Sequence, residues 1–168
     1  DIINFFHNRI IFLQIFISSV PVMIVGFLLV ETGMIEKIRN IKIIAFTTII
    51  FGVLLFISDK FKLEKNIKKN FSYRSALFIG LFQILSLIPG VSRSGIAITA
   101  ARLLKFKRIE AGKISFLMSI PILGAVSIFG VKNLIFSESL NFTYLNLLSI
   151  IISFFFSLIT IKYFLNYI

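Results

Sequence analysis

The feature of this 168-residue sequence that most restricts its fold is a series of apolar blocks, each about as long as a membrane-crossing helix. Ile10 to Val30 is long enough, as a helix, to cross about 30 Å of hydrocarbon. Ile43 to Ser58 is near the lower length limit, and Ile114 to Val131 and Tyr144 to Leu165 complete a set of four spans, at about 10–30, 43–58, 114–131 and 144–165. Pro21 and Pro121 lie inside two of them, which membrane helices tolerate better than soluble ones. Charged residues make up only 15% of the chain, where a soluble domain keeps about a quarter. The sequence therefore predicts an all-α polytopic transmembrane protein, with residues 1–168 as a single membrane domain.

A net charge of +11 would suit nucleic acid, but the Lys and Arg residues are gathered in the loops between apolar blocks. Loop cations in a membrane protein follow the positive-inside rule, so the expected surroundings are membrane lipids and not nucleic acid. The absence of cysteine removes disulfides, thiolate catalysis and Cys-ligated zinc. The opening Asp1-Ile-Ile-Asn is neither an initiator Met nor the basic start of a signal peptide, which leaves a removed upstream segment or a fragment as the two readings.

Ser75 to Leu104 departs from the pattern. The apolar run from Ala76 to Ile88 is too short to span, and Pro89-Gly90 stops it, because Pro has no N–H and disfavours a helical residue before it. Ile96 to Leu104 is a second short apolar helix. Two half-length helices around a polar turn read as a re-entrant hairpin at about 75–104; the alternative is one span kinked at Pro89. Charge separates the two readings. Lys60, Lys62, Lys65, Lys68, Lys69 and Arg74, with Asp59 and Glu64, precede the hairpin, and Lys105, Lys107, Arg108 and Lys113 follow it. Re-entry places these ten cations on one side, the cytoplasmic one, and leaves Lys37, Arg39, Lys42 and Lys132 on the other. A full span would divide the two basic loops across the membrane.

The turn itself, Pro89-Gly-Val-Ser-Arg-Ser-Gly95, is suited to an anion. Its glycines permit close backbone approach and positive φ. Ser92 or Ser94 can cap the helix that begins near Gly95, leaving its first amides free to face negative charge. Arg93 adds a permanent charge with a fork that matches phosphate oxygens, and at membrane depth it needs an anionic partner or a wet cavity. Helical spacing puts Gln83, Ser86 and Gly90 on one face of the incoming half-helix, and Thr99 and Arg102 on one face of the outgoing half. The alternative is a helix break whose serines and Arg satisfy only loose backbone groups and lipid headgroups. No His or carboxylate pair lies near the turn: His7 reads as a headgroup-level residue, Glu31 and Glu36 fall on the opposite side, and Glu110 reads as a solvated neighbour. A general base and metal ligands are expected from elsewhere.

At this turn the sequence resembles the undecaprenyl-diphosphate phosphatase family, also known as bacitracin-resistance proteins. The stretch that carries the resemblance is Phe78-Ile-Gly-Leu-Phe-Gln-Ile-Leu-Ser-Leu-Ile-Pro-Gly-Val-Ser-Arg-Ser-Gly95, continuing through Ala100 to Phe106 and Ala111 to Pro121. The Pro-Gly-x-Ser-Arg-Ser motif with Gln six residues before its Pro is specific in a membrane protein. The resemblance implies removal of the terminal phosphate of a C55 polyprenyl diphosphate in the bacterial inner membrane, recycling the lipid carrier of peptidoglycan precursors. It also implies two inverted halves, each with a re-entrant hairpin, and support by Mg²⁺ or Ca²⁺; a homodimer is compatible with it. Carried over, Arg93 would clamp the diphosphate, Ser92 and Ser94 would line the site, Gly90 and Gly95 would shape the turn, and Gln83 would face it. The family's Glu-rich motif and Ser-Ser-Thr-Gly-His motif, which supply carboxylates and a His, have no match here; by alignment they would precede Asp1. The family also carries Thr four residues after the motif Arg, where this chain has Ala97, with Thr99 two residues later as the nearest hydroxyl. A lipid-phosphate transporter or flippase built on the same hairpin, or an inactive portion of the phosphatase, are the competing expectations.

Overall fold

The computed structural model describes residues 9–34, 38–60, 65–136 and 144–167, so His7, Glu36, Lys37, Lys62 and Glu64 lie outside the described residues. The regular elements there are all helical. They are α1 (Arg9–Glu31), α2 (Ile41–Asp59), a single turn α3 (Ile67–Asn70), α4 (Tyr73–Ile84) with a 3₁₀ turn at Leu85–Leu87, α5 (Arg93–Leu103), α6 (Arg108–Phe136) and α7 (Tyr144–Tyr167). Four stretches are long and apolar enough to cross a membrane: Arg9–Glu31, Ile41–Asp59, Arg108–Lys132 and Tyr144–Tyr163. The protein is a polytopic all-α membrane protein.

The chain divides into two compact units, Asp1–Leu123 and Gly124–Ile168. In the second, α7 leaves its apolar side chains exposed on every side, Phe154, Phe155 and Phe156 among them. A helix that is apolar all round suits hydrocarbon and not water.

The first unit is organised around α4 and α5, which pack against each other and, respectively, against α1 and α2. Small residues make these approaches close. A Cβ on Gly80 of α4 would overlap the Ser18 carbonyl oxygen of α1, so the two backbones touch at a point only glycine permits. Ser18 and Ser19 fold their hydroxyls back onto the Ile15 carbonyl at 2.6 and 2.9 Å, which lets both be fully buried just before Pro21. Ala97, Ala100 and Ala101 of α5 pack with Ala76 and Ile79 of α4 and with Ile114 and Met118 of α6.

Both ends of the α4–α5 pair meet at one place. The Lys65 amide donates to the Lys105 carbonyl at 3.1 Å and the Lys107 amide donates to the Lys65 carbonyl at 3.2 Å, a short parallel bridge. The two helices therefore form a hairpin whose entry and exit are adjacent. α5 ends in a Schellman motif, with Phe106 N bonded to Ala101 O at 3.1 Å and Lys105 N to Arg102 O at 2.8 Å. Its left-handed position is occupied by Lys105, at φ 70°, where glycine is usual.

Charge closes the same end. Arg102, 1% exposed, contacts the Asp59 carboxylate at 2.7 Å and donates to the Asp59 carbonyl at 2.6 Å and the Phe106 carbonyl at 3.2 Å. Arg108 forks onto the same carboxylate from the exposed side. Glu110, expected to be a solvated neighbour, instead accepts the Ile67 amide of α3 at 3.1 Å, with Lys113 3.8 Å away. Its carboxylate satisfies an N-terminal helix amide, which is the more favourable use of a charge there.

Candidate anion site at the hairpin tip

The opposite end of the hairpin is the Pro89–Gly95 turn. α4 stops at Ile84, four residues before the expected end, and tightens into the 3₁₀ turn at Leu85–Leu87. Ile88 is extended, as a residue before Pro prefers. Gln83, Ser86 and Gly90 consequently do not share one continuous helical face. Gln83 is the last of them on regular helix; it is 1% exposed, and its Oε1 has no hydrogen-bond partner among the described residues.

Ser92 supplies the cap. It is extended, accepts the Gly95 amide on its Oγ at 3.2 Å and the Ile96 amide on its carbonyl at 2.9 Å, so α5 begins at Arg93 rather than near Gly95. Ser94 lies beside it, with the two hydroxyl oxygens 3.2 Å apart and both side chains exposed. Arg93 is half-buried, and its guanidinium forms no ion pair or hydrogen bond with the described residues. The tip thus brings together a permanent cation, two hydroxyls and the positive end of a helix.

The other expected residues fall close by in different roles. Gly90 has φ 93° and is pressed onto α2: a Cβ there would overlap the Thr47 hydroxyl and sit 2.6 Å from the Ile44 carbonyl oxygen. Gly95 is less constrained, its added Cβ meeting the Ser92 Cβ at 3.1 Å. Thr99 is 1% exposed and donates to the Gly95 carbonyl at 2.8 Å, so its hydroxyl braces the first turn of α5 from within. Ala97 is fully buried in the helical core.

Sequence reasoning missed the residues that hold the turn from other helices. Thr47 and Thr48 of α2 donate to the Pro89 and Gly90 carbonyls at 2.7 and 3.1 Å, and Ser115 of α6 donates to the Ser94 carbonyl at 3.3 Å. The only signal was a pair of hydroxyl residues inside an otherwise apolar span. Among the described residues no three His, Cys, Asp or Glu side chains converge. The donors at the tip are cationic or neutral hydrogen-bonding groups, which fit an anion and do not fit Mg²⁺ or Ca²⁺.

Residues 5–168 match the family described as bacitracin resistance protein BacA. The chain is 46% identical over 169 residues to an undecaprenyl-diphosphatase of Pelagibacter ubique (strain HTCC1062), an alignment that covers all of this chain and 66% of that relative. It is 42% identical over 113 residues to the undecaprenyl-diphosphatase of Jannaschia sp. (strain CCS1), covering 67% of this chain and 42% of the relative. It is 44% identical over 121 residues to that of Dinoroseobacter shibae (strain DSM 16493 / NCIMB 14021 / DFL 12), covering 71% and 45%. The chain thus spans just under two thirds of the first relative's length, and its alignments cover under half of the other two.

Proposed function

The chain belongs to the bacitracin resistance protein BacA family, and on that premise we propose that it is the diphosphate-clamping portion of an undecaprenyl-diphosphate phosphatase. The whole protein hydrolyses a C55 polyprenyl diphosphate to the monophosphate and phosphate, recycling the cell-wall lipid carrier in the bacterial inner membrane. The observation that carries this reading is Arg93, without a partner among the described residues, at the capped N-terminus of α5 beside the exposed hydroxyls of Ser92 and Ser94.

In this reading α4 and α5 re-enter the membrane from the basic side and turn back within it. Asp59, at the closed end, and Thr47, at the turn, lie twelve residues apart on α2, about 18 Å of helix rise. Only six residues, about 9 Å, separate Thr47 from Ile41 at the other end of the span. The tip therefore opens toward the face away from the basic loops, the extracytoplasmic one under the positive-inside rule. The prenyl chain remains in hydrocarbon while the diphosphate reaches inward.

Arg93 would neutralise the oxygens of the diphosphate and the charge that develops as the P–O–P bond breaks. Ser92 and Ser94 would donate to the same oxygens, and the unpartnered Gln83 Oε1 would accept from a water or a protonated phosphate oxygen. Gly90 and Gly95 let backbone and ligand approach, and Thr99 braces the helix start. A divalent cation would supply further charge neutralisation, with ligands from outside the described residues.

The test is phosphate release from C55 polyprenyl diphosphate by the full-length protein in detergent. Arg93→Ala is expected to lower turnover about 10²–10³-fold, the loss typical of removing one transition-state donor, with membrane insertion unchanged. Hydrolysis at the parent rate would remove the clamp from Arg93.

A further inference from the structure

Pro89 and Gly90 present two carbonyls that the backbone of the turn leaves without a donor among the described residues. Neither carbonyl receives a backbone N–H; the nearby turn bond is from the Val91 amide to the Ile88 carbonyl. Their donors are the adjacent hydroxyls of Thr47 and Thr48. Each threonine also lies within reach of carbonyls one turn back on α2, Ile43 and Ile44 for Thr47 and Ile44 for Thr48. Those carbonyls already belong to the helical ladder, whereas Pro89 and Gly90 have no other donor among the described residues. The Pro89 contact, at 2.7 Å, is the shortest that Thr47 makes, whereas Thr48 lies 2.7 Å from the Ile44 carbonyl and 3.1 Å from that of Gly90, so Thr47 is the stronger of the two ties.

We infer that Thr47 and Thr48 are positioning residues of the phosphate site: their hydroxyls fix the Pro89–Gly90 carbonyls to α2 and so set the direction in which Arg93 and the α5 N-terminus face the ligand. The inference rests on the proposed phosphatase reading and extends it to α2, which carries none of the side chains assigned to the ligand. Three features make the coupling tight. Gly90 is at positive φ with no space for a Cβ against Thr47 and Ile44. Only Val91 separates Gly90 from the Ser92 cap, so a displacement of the carbonyls passes directly to the first turn of α5. On the far side, Ser115 holds the Ser94 carbonyl, leaving α2 as the contact that sets the turn's remaining freedom.

Valine replaces each threonine with nearly the same shape and no donor, and serine keeps the donor. In the full-length protein, the Thr47→Val/Thr48→Val double variant is expected to lower kcat about 10²-fold, the scale of a misplacement near 1 Å, while KM moves less than about threefold. Thr47→Ser/Thr48→Ser should stay within about threefold of the parent kcat. A purely structural role would reduce the amount of folded protein and leave kcat per folded molecule intact; that result, or a double-valine kcat equal to the parent, overturns the inference.

A second readout needs no turnover and separates this inference from the phosphatase reading. This chain has no cysteine of its own, so in the full-length protein, with any cysteine outside this chain replaced, Ser94→Cys gives a single probe at the tip for a membrane-impermeant maleimide in vesicles. Adding the two valines should change its labelling rate at least severalfold, and adding the two serines should not. If the parent releases no phosphate from polyprenyl diphosphate yet labelling shifts in this way, the phosphatase reading fails and the positioning role stands. An unchanged labelling rate in the double-valine background overturns the positioning role whatever the activity.

Discussion

The two ends of α5 each carry an arginine, and the hairpin treats them in opposite ways. At the base Arg102 is buried and its charge is paired: Asp59 balances it, two carbonyls accept from its terminal nitrogens, and Arg108 shares the carboxylate from outside. At the tip Arg93 is half-buried with no partner among the described residues, and its neighbours Ser92 and Ser94 keep their hydroxyls exposed. A charge taken out of water must be balanced, and the base achieves that within the chain. The tip has its donors arranged with no acceptor for Arg93 among the described residues, as the proposed anion site requires. Identical side chains at the ends of one eleven-residue helix thus differ in whether the described residues balance their charge.

The sharpest way to break this contrast is to remove the base's anion. Asp59→Ala leaves Arg102 buried and unpaired, and the expected cost is about 3 kcal/mol of stability, seen as a lowered unfolding temperature in detergent. Arg93→Ala should leave stability within about 0.5 kcal/mol of the parent, because nothing described pairs with it. Equal losses from both substitutions would mean that the tip arginine is structural too. A smaller effect divides the two tip serines. Ser92→Ala removes the α5 cap and should cost about 1 kcal/mol, while Ser94→Ala, which caps nothing, should be close to neutral in stability even as it lowers turnover. The smallest change is a gain. Lys105→Gly relieves the left-handed position of the Schellman motif and should stabilise the base by up to about 1 kcal/mol, with turnover unaffected.

The order of apolar helices was legible because hydrocarbon imposes length and composition directly, and the four membrane-length helices begin and end within about six residues of the blocks read from sequence. The largest extension, α6 starting at Arg108 instead of Ile114, adds a polar first turn containing Glu110 that hydropathy does not register. The interruption at Pro89–Gly90 was legible for a local reason as well, a missing N–H and a positive φ. The base was not. Asp59 and Arg102 are 43 residues apart, as are Ile67 and Glu110, and no periodicity links such partners. Asp59 read as one charge in a basic loop, although it is the anion around which the loop closes. Thr47 and Thr48 were hidden for a related reason: a hydroxyl in a membrane helix is ordinarily absorbed by its own backbone, and only the fold shows that these two reach a turn 42 residues away.

The parallel bridge between Lys65 and Phe106 has a consequence for how such a protein can be remodelled. Because the chain leaves and rejoins through a single doorway, residues 66–105 behave as a self-closed cassette whose replacement leaves the flanking spans in register. A graft from a related protein would have to match that doorway and the surfaces it meets on α1, α2 and α6, but no distant loop would need re-routing. Substitutions at the tip can then accumulate without disturbing the scaffold that holds it.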